Sequence, residues 1–214
     1  MIFNERLLFL HVPKTGGMAM TQALLAGLPG QVWCTAPNGH HPHKVRDEQV
    51  LRGTRHETLP QARELLAHEG RRLEDFERIV AVMRNPYEQE ASRYHYLRLG
   101  LPHDRGPAQA LALAGDFEAF ACQSRWWFDD LGDYYRLDGG APPQLRCLRH
   151  EQLAEDYARE VGPFLQGAAV LPRVNESGAD ARAMPLSAAA EEAIWHKYRW
   201  VFDAGHYPRR APDA

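Results

Sequence analysis

The feature that most limits what this chain can become is the stretch Leu7–Leu25, LLFLHVPKTGGMAMTQALL. Leu7–Val12 is an apolar run of the length of one buried strand, and Met20, Leu24, Gly27 and Leu28 then recur at helical spacing. Between them lies the tight loop Pro13-Lys14-Thr15-Gly16-Gly17. Strand, glycine turn and helix in that order present backbone N–H groups and a helix N-terminus at the strand's carboxyl end, a ready-made site for an anion. Glycines there let the backbone approach a ligand that a Cβ would hold off. Lys14 adds a full charge to the partial charges of the amides. It is one of three lysines, with Lys44 and Lys197, in a chain whose other basic residues are arginines. A compact ammonium suits a site where a single oxygen must be met by a point charge. The loop is not a Walker A sequence, because the lysine precedes the glycines and G-x-x-x-x-G-K-[ST] is absent. The plain alternative is a lysine-bearing turn with no ligand.

At 214 residues the chain has the length of one domain, 1–214, able to bury a sheet on both faces. A formal charge of −3 gives no general attraction to nucleic acid or an anionic membrane, so an anion site must be local. The three cysteines, Cys34, Cys122 and Cys147, show no CxxC or zinc spacing and read as reduced thiols of a cytoplasmic protein. Met1–Arg6 carries no basic leader, and Leu7–Val12 is too short to span a bilayer, so no membrane segment is expected.

Further along, Gln31–Cys34 reads as a short strand and Leu59–Gly70 as a helix. Ile79-Val80-Ala81-Val82-Met83 reads as a buried parallel strand. That strand runs into Arg84-Asn85-Pro86-Tyr87. Asn85 suits an N-cap and Pro86 the first helical position, and Tyr87, Ala91, Tyr94 and Leu97 form the inward face. Arg84 at the strand end and Ser92 two turns into the helix can converge on one oxyanion. The alternative is a capping arginine and a satisfied helical serine. Phe117–Phe128 reads as an aromatic helix, Leu145–Leu148 as a third strand, and Ser187 as the start of a last helix reaching Phe202. His40-His41-Pro42-His43 has the wrong spacing for one helical face and no adjoining cysteine or carboxylate cluster, so a metal site is disfavoured. A solvated loop or a catalytic histidine remains for it. His11, inside the first strand, reads as a core histidine.

Two motifs, P-K-T-G-G after one apolar strand and R-N-P-Y after another with a serine eight residues beyond the arginine, together resemble the sulfotransferases that use 3′-phosphoadenosine 5′-phosphosulfate (PAPS). The likeness is strongest to the branch with carbohydrate sulfotransferases and small bacterial relatives. It implies an α/β fold, a mainly parallel sheet flanked by helices of the P-loop nucleotide-hydrolase-like sulfotransferase type. It also implies that Pro13, Lys14, Thr15, Gly16, Gly17, Met18 and Ala19 hold the 5′-phosphosulfate, and Arg84 and Ser92 the 3′-phosphate. Lys14 would assist the leaving phosphate, and His40 or His41, in the family's Gly-His context, would act as base, with Glu48 or Glu57 next in line. The expected reaction moves the sulfuryl group from PAPS to a hydroxyl acceptor, a carbohydrate first among the options, and gives adenosine 3′,5′-bisphosphate (PAP). No metal is expected. The chain departs from the family at Met18-Ala19-Met20, where Thr-Ser-Leu is frequent, and at Gln89, where an arginine is common. The rival readings are a P-loop kinase, for which the Walker lysine-Ser/Thr pair is missing, and a PAP-binding protein without catalysis.

Overall fold

The computed structural model describes residues 1–35, 49–138, 140–167, 170–172 and 184–213. The chain forms two compact units, Met1–Met83 with Asp133–Asn175, and Arg84–Gly132 with Glu176–Ala214.

The first unit holds a six-stranded sheet. Its strands are β1 (Ile2–Phe3), β2 (Leu7–Leu10), β3 (Trp33–Thr35), β4 (Gln49–Leu51), β5 (Arg78–Met83) and β6 (Leu145–Arg149), in the order β4-β3-β1-β2-β5-β6. β2 pairs parallel with β5, β5 with β6, and β3 with β4, while β1 runs antiparallel to both its neighbours. The sheet is therefore mixed, not simply parallel. The cause is a tight turn at Asn4, whose Oδ1 accepts from the backbone of Arg6 and Leu7 and folds Ile2–Phe3 back along β2. All four residues of β2 and most of β5 are buried, as their continuous apolar runs require. On one face, Leu7 and Phe9 of β2, Val80 and Val82 of β5 and Leu148 of β6 pack with Met20, Leu24 and Leu25 of α1 (Gly17–Gly27). Helix α2 (Leu59–His68) opens on a capping box formed by Thr58 and Gln61. Strand β3 is displaced slightly from the predicted Gln31–Cys34, and β2 ends two residues before the predicted Val12.

The second unit is helical. α3 (Pro86–Leu97) starts as its punctuation dictates, with Asn85 Oδ1 accepting from Tyr87 N at 3.0 Å and Pro86 at the first position. α4 (Pro107–Leu113) and α5 (Phe117–Gln123) follow, and Tyr94 of α3 meets Phe117 and Phe120 of α5, each at 5.3 Å between ring centroids. The predicted helix Phe117–Phe128 stops at Gln123. Ser124 is extended because its hydroxyl is engaged by Arg93 and Glu90, and the Arg93 guanidinium also takes the Arg125 carbonyl that a continuing helix would need. The last predicted helix is likewise two, α6 (Ala188–Lys197) and α7 (Arg199–Asp203), after the N-cap Ser187. Tyr198 breaks it, its phenol donating to Glu90 at 2.9 Å and accepting from Trp126 Nε1 at 2.9 Å. Among the described residues no helix is long and apolar enough to cross a membrane.

Candidate active site

The glycine loop joins β2 to α1 in the first unit. Val12 N bonds Leu10 O at 3.1 Å, turning the chain out of the strand, and Thr15 Oγ1 donates to Val12 O at 2.9 Å. Thr15 is wholly buried, so its side chain braces the loop from within. Lys14 adopts φ 63°, the left-handed region, and is the only non-glycine to do so among the described residues. For an L-residue that conformation costs on the order of 1–2 kcal/mol. Gly16, at φ 87°, is the N-cap of α1, and the first turn of the helix contains no acidic side chain. The positive end of α1 thus has no carboxylate of its own in that turn.

The two glycines serve different ends. A Cβ on Gly16 would meet Leu153 Cδ2 at 3.2 Å and His150 Cδ2 at 3.4 Å, and the left-handed φ is the stronger demand. A Cβ on Gly17 would fall 2.0 Å from the ring of His11. Gly17 is therefore required by the imidazole lying against it, whereas the sequence suggested only room for a ligand.

His11 is buried, and its ring centroid is 4.7 Å from that of His56. His56 Nδ1 lies 2.8 Å from His11 O; since a carbonyl can only accept, the proton is on Nδ1 and the lone pair on Nε2. Burial pushes the His56 pKa down to about 4 and outweighs the hydrogen bond to the His11 carbonyl, which raises it. His56 is accordingly neutral at physiological pH. Tyr134 OH holds the backbone in place by donating to His56 O at 2.9 Å. The neighbouring Arg55 directs Nη1 to Met18 Sδ at 3.5 Å, in the first turn of α1. Glu57, the reserve candidate for a base, is buried and accepts from the Met1 amine at 2.8 Å, Thr35 Oγ1 at 2.7 Å and Thr54 N. It acts as a structural carboxylate.

In the second unit Arg84 and Ser92 are both buried. Glu88 falls between them at four-residue spacing, and its carboxylate lies 3.5 Å from Arg84 Nη2. The Arg84 charge is thus partly answered within the chain, which the sequence reading did not foresee. Gln89 is completely buried. His40, His41 and Glu48, and the segment Arg173–Ser177, lie outside the described residues.

The structure keeps Pro13 to Ala19 as one loop and first turn, and adds His11, His56, Arg55 and His150 around it. His11, His56 and Arg55 carry no local motif, whereas His150 lies in Arg149-His150-Glu151-Gln152-Leu153 directly after β6, where the end of a parallel strand is a place to look. Fold and site together define an α/β protein in which a buried parallel strand feeds a lysine-bearing glycine loop at a helix N-terminus. Compared with known proteins, the chain matches no family model and no curated protein.

Proposed function

We propose that the protein transfers the sulfuryl group of PAPS to a hydroxyl acceptor, a carbohydrate first among the options, and releases PAP and a sulfate ester. The observation that carries this reading is Lys14 in a left-handed conformation beside an uncapped helix N-terminus. Strain of that kind persists where surrounding structure enforces it, and it clusters at ligand-binding positions. The donor set, an ammonium with backbone N–H groups and no first-turn carboxylate, fits a 5′-phosphosulfate.

In this reaction the acceptor oxygen forms a bond to sulfur as the bond from sulfur to the 5′-phosphate oxygen breaks. The electron pair of the broken bond moves onto the phosphate, and Lys14 neutralises the charge that grows there. The acceptor proton passes to a base, for which the family likeness offers His40 or His41. Arg84 and Ser92 serve the 3′-phosphate, with Glu88 limiting how strongly Arg84 binds.

Calorimetric titration with PAP and with ATP-Mg tests the reading. PAP should bind and ATP-Mg should not. Turnover of PAPS against a panel of hydroxyl acceptors then separates an enzyme from a PAP-binding protein. Binding of ATP-Mg in preference to PAP would sink the proposal.

A further inference from the structure

The second unit contains a cavity of about 360 Å³. Small-molecule sites span roughly 300–1,000 Å³, so the space suits a ligand of modest size. Its floor is apolar: Ala91 of α3, Phe117 at the start of α5, Leu186, and Ile194 of α6 are all buried. Its rim is charged, with the half-buried Glu88 of α3 and the exposed Arg209 and Arg210.

The walls are fixed without a ligand. Tyr87 OH donates to Glu191 at 2.7 Å and accepts from Arg210 N at 3.0 Å. Arg209 Nε donates to Glu191 at 3.0 Å, and its Nη2 to Glu192 at 2.9 Å. Leu186 N donates to Asp213 Oδ2 and Asp213 N to Leu186 O, both at 2.8 Å. These bonds pin the segment 208–213 to α3 and α6. A cavity formed in advance spares a ligand the cost of ordering its walls.

The charges decide what kind of molecule fits. Arg209 is answered by Glu191 and Glu192, Arg210 by Asp213 at 2.8 Å, and Glu88 by Arg84 at 3.5 Å. Three arginines thus stand with four carboxylates, which leaves no positive excess to draw an anion. A cation would meet two guanidiniums and one carboxylate on the rim itself, and like charges brought together are costly. A wholly apolar ligand would take the rim groups out of water and bond none of them. A neutral ligand bearing hydroxyls meets none of these costs. A hydroxyl donates to a carboxylate and accepts from a guanidinium; two carboxylate oxygens and five N–H donors give room for both beside the existing pairs. A sugar ring also has C–H faces, which an apolar floor with an aromatic ring receives.

We propose that this cavity binds a neutral carbohydrate, with a sugar ring against Phe117 and its hydroxyls at Glu88 and Arg210. The inference rests on the cavity alone and not on the sulfotransferase reading.

The test is a ligand-observed NMR titration of the full chain. Methyl β-glucoside and methyl β-galactoside are the neutral probes, methyl β-glucuronide the anion and glucosamine the cation. At least one neutral glycoside should bind, and more tightly than either charged probe. Ala91→Phe fills the cavity from its floor and should abolish that binding. Arg210→Ala removes a charge-assisted donor at the rim, keeps the backbone bond to Tyr87, and should weaken binding roughly ten- to hundredfold. Thermal unfolding establishes that each variant is folded, and Arg210→Ala decides alone if Ala91→Phe is not. The inference is overturned if no neutral glycoside binds, if a charged probe binds more tightly, or if a folded variant keeps wild-type affinity. PAP titrated into the wild type by calorimetry reports on the sulfotransferase reading separately, so either can fail while the other stands.

Discussion

Replacing Lys14 by glycine and, separately, by alanine separates the two things this residue does. At φ 63° a lysine carries the left-handed penalty of roughly 1–2 kcal/mol, and alanine, which also has a Cβ, inherits it. Glycine escapes the penalty but enlarges the unfolded ensemble by about 0.5–1 kcal/mol. The net expectation is that Lys14→Gly equals or exceeds the wild type by up to ~1 kcal/mol, and exceeds Lys14→Ala by a similar margin. In a chain of this size that difference moves the unfolding midpoint by about 2–4 °C, within reach of calorimetry. Activity should go the other way. Both variants lose the charge that meets the leaving phosphate, a loss worth about 2.7–4 kcal/mol of barrier, or roughly a hundred- to thousandfold in turnover. PAP affinity should fall much less, because the charge Lys14 opposes is largest in the transition state. The measurements are paired: a melting curve and a PAPS turnover assay on the same three proteins. A glycine variant less stable than the alanine variant would refute the strained backbone. Full turnover in either would refute the electrostatic role.

Three further outcomes follow from the packing. Gly17→Ala puts a methyl 2.0 Å from the His11 ring, so it should destabilise the chain by about 1–3 kcal/mol, and His11→Ala in the same chain should restore much of that loss if the clash is the cause. Glu90 is buried and answers both Lys197 Nζ, at 2.6 Å, and Arg93. Glu90→Gln should therefore cost roughly 3–5 kcal/mol in denaturant unfolding, whereas Lys197→Met, which leaves Glu90 paired with Arg93, should cost clearly less; equal losses would mean the pairing is not what matters. His56 is held near pKa 4 in the folded chain against 6.5 when unfolded, so the unfolded state takes up the proton first. Its contribution is intact above pH 6.5 and is lost as pH falls toward 4, by at most about 3 kcal/mol. Identical acid sensitivity in wild type and His56→Gln would show that another group is responsible.

The sequence was most legible where residues carry their own punctuation. Ile79–Met83 has the unbroken apolar run of a strand buried on both faces, and Asn85-Pro86 marks a helix start whatever surrounds it. Strand β1 was not legible because two residues have no periodicity, and its reversal depends on the Asn4 side chain bonding two backbone N–H groups. The overrun of α5 and the break at Tyr198 share one cause. Ser124 and Tyr198 both belong to the buried network around Glu90, whose partners come from α3, the end of α5 and α6. Local propensity favours helix at both places, and tertiary hydrogen bonds overrule it. The core of the candidate site was legible as a loop, from the order strand, lysine, glycines, helix. Its surroundings were not, because His11 against Gly17, His56 on the His11 carbonyl and Arg55 against Met18 are contacts made by folding.

Those contacts bear on how the loop could work. Thr15 ties itself to Val12, the His11 ring rests on Gly17, His56 bonds the His11 carbonyl, and Tyr134 bonds the His56 carbonyl. The loop backbone is thus fixed from the protein side by hydrogen bonds and packing that need no ligand. Donors held in this way cost little reorganisation when charge arrives, which is the condition under which electrostatic stabilisation is most effective. It also accounts for the tolerance of strain at Lys14. A flexible loop would relax the residue out of the left-handed region. Braced on Thr15 and Gly17, the chain cannot make that move cheaply. Lys14 precedes, and Arg55 Nη1 touches, a helix end whose first turn holds no acidic residue, and the positive end of a helix favours an anion.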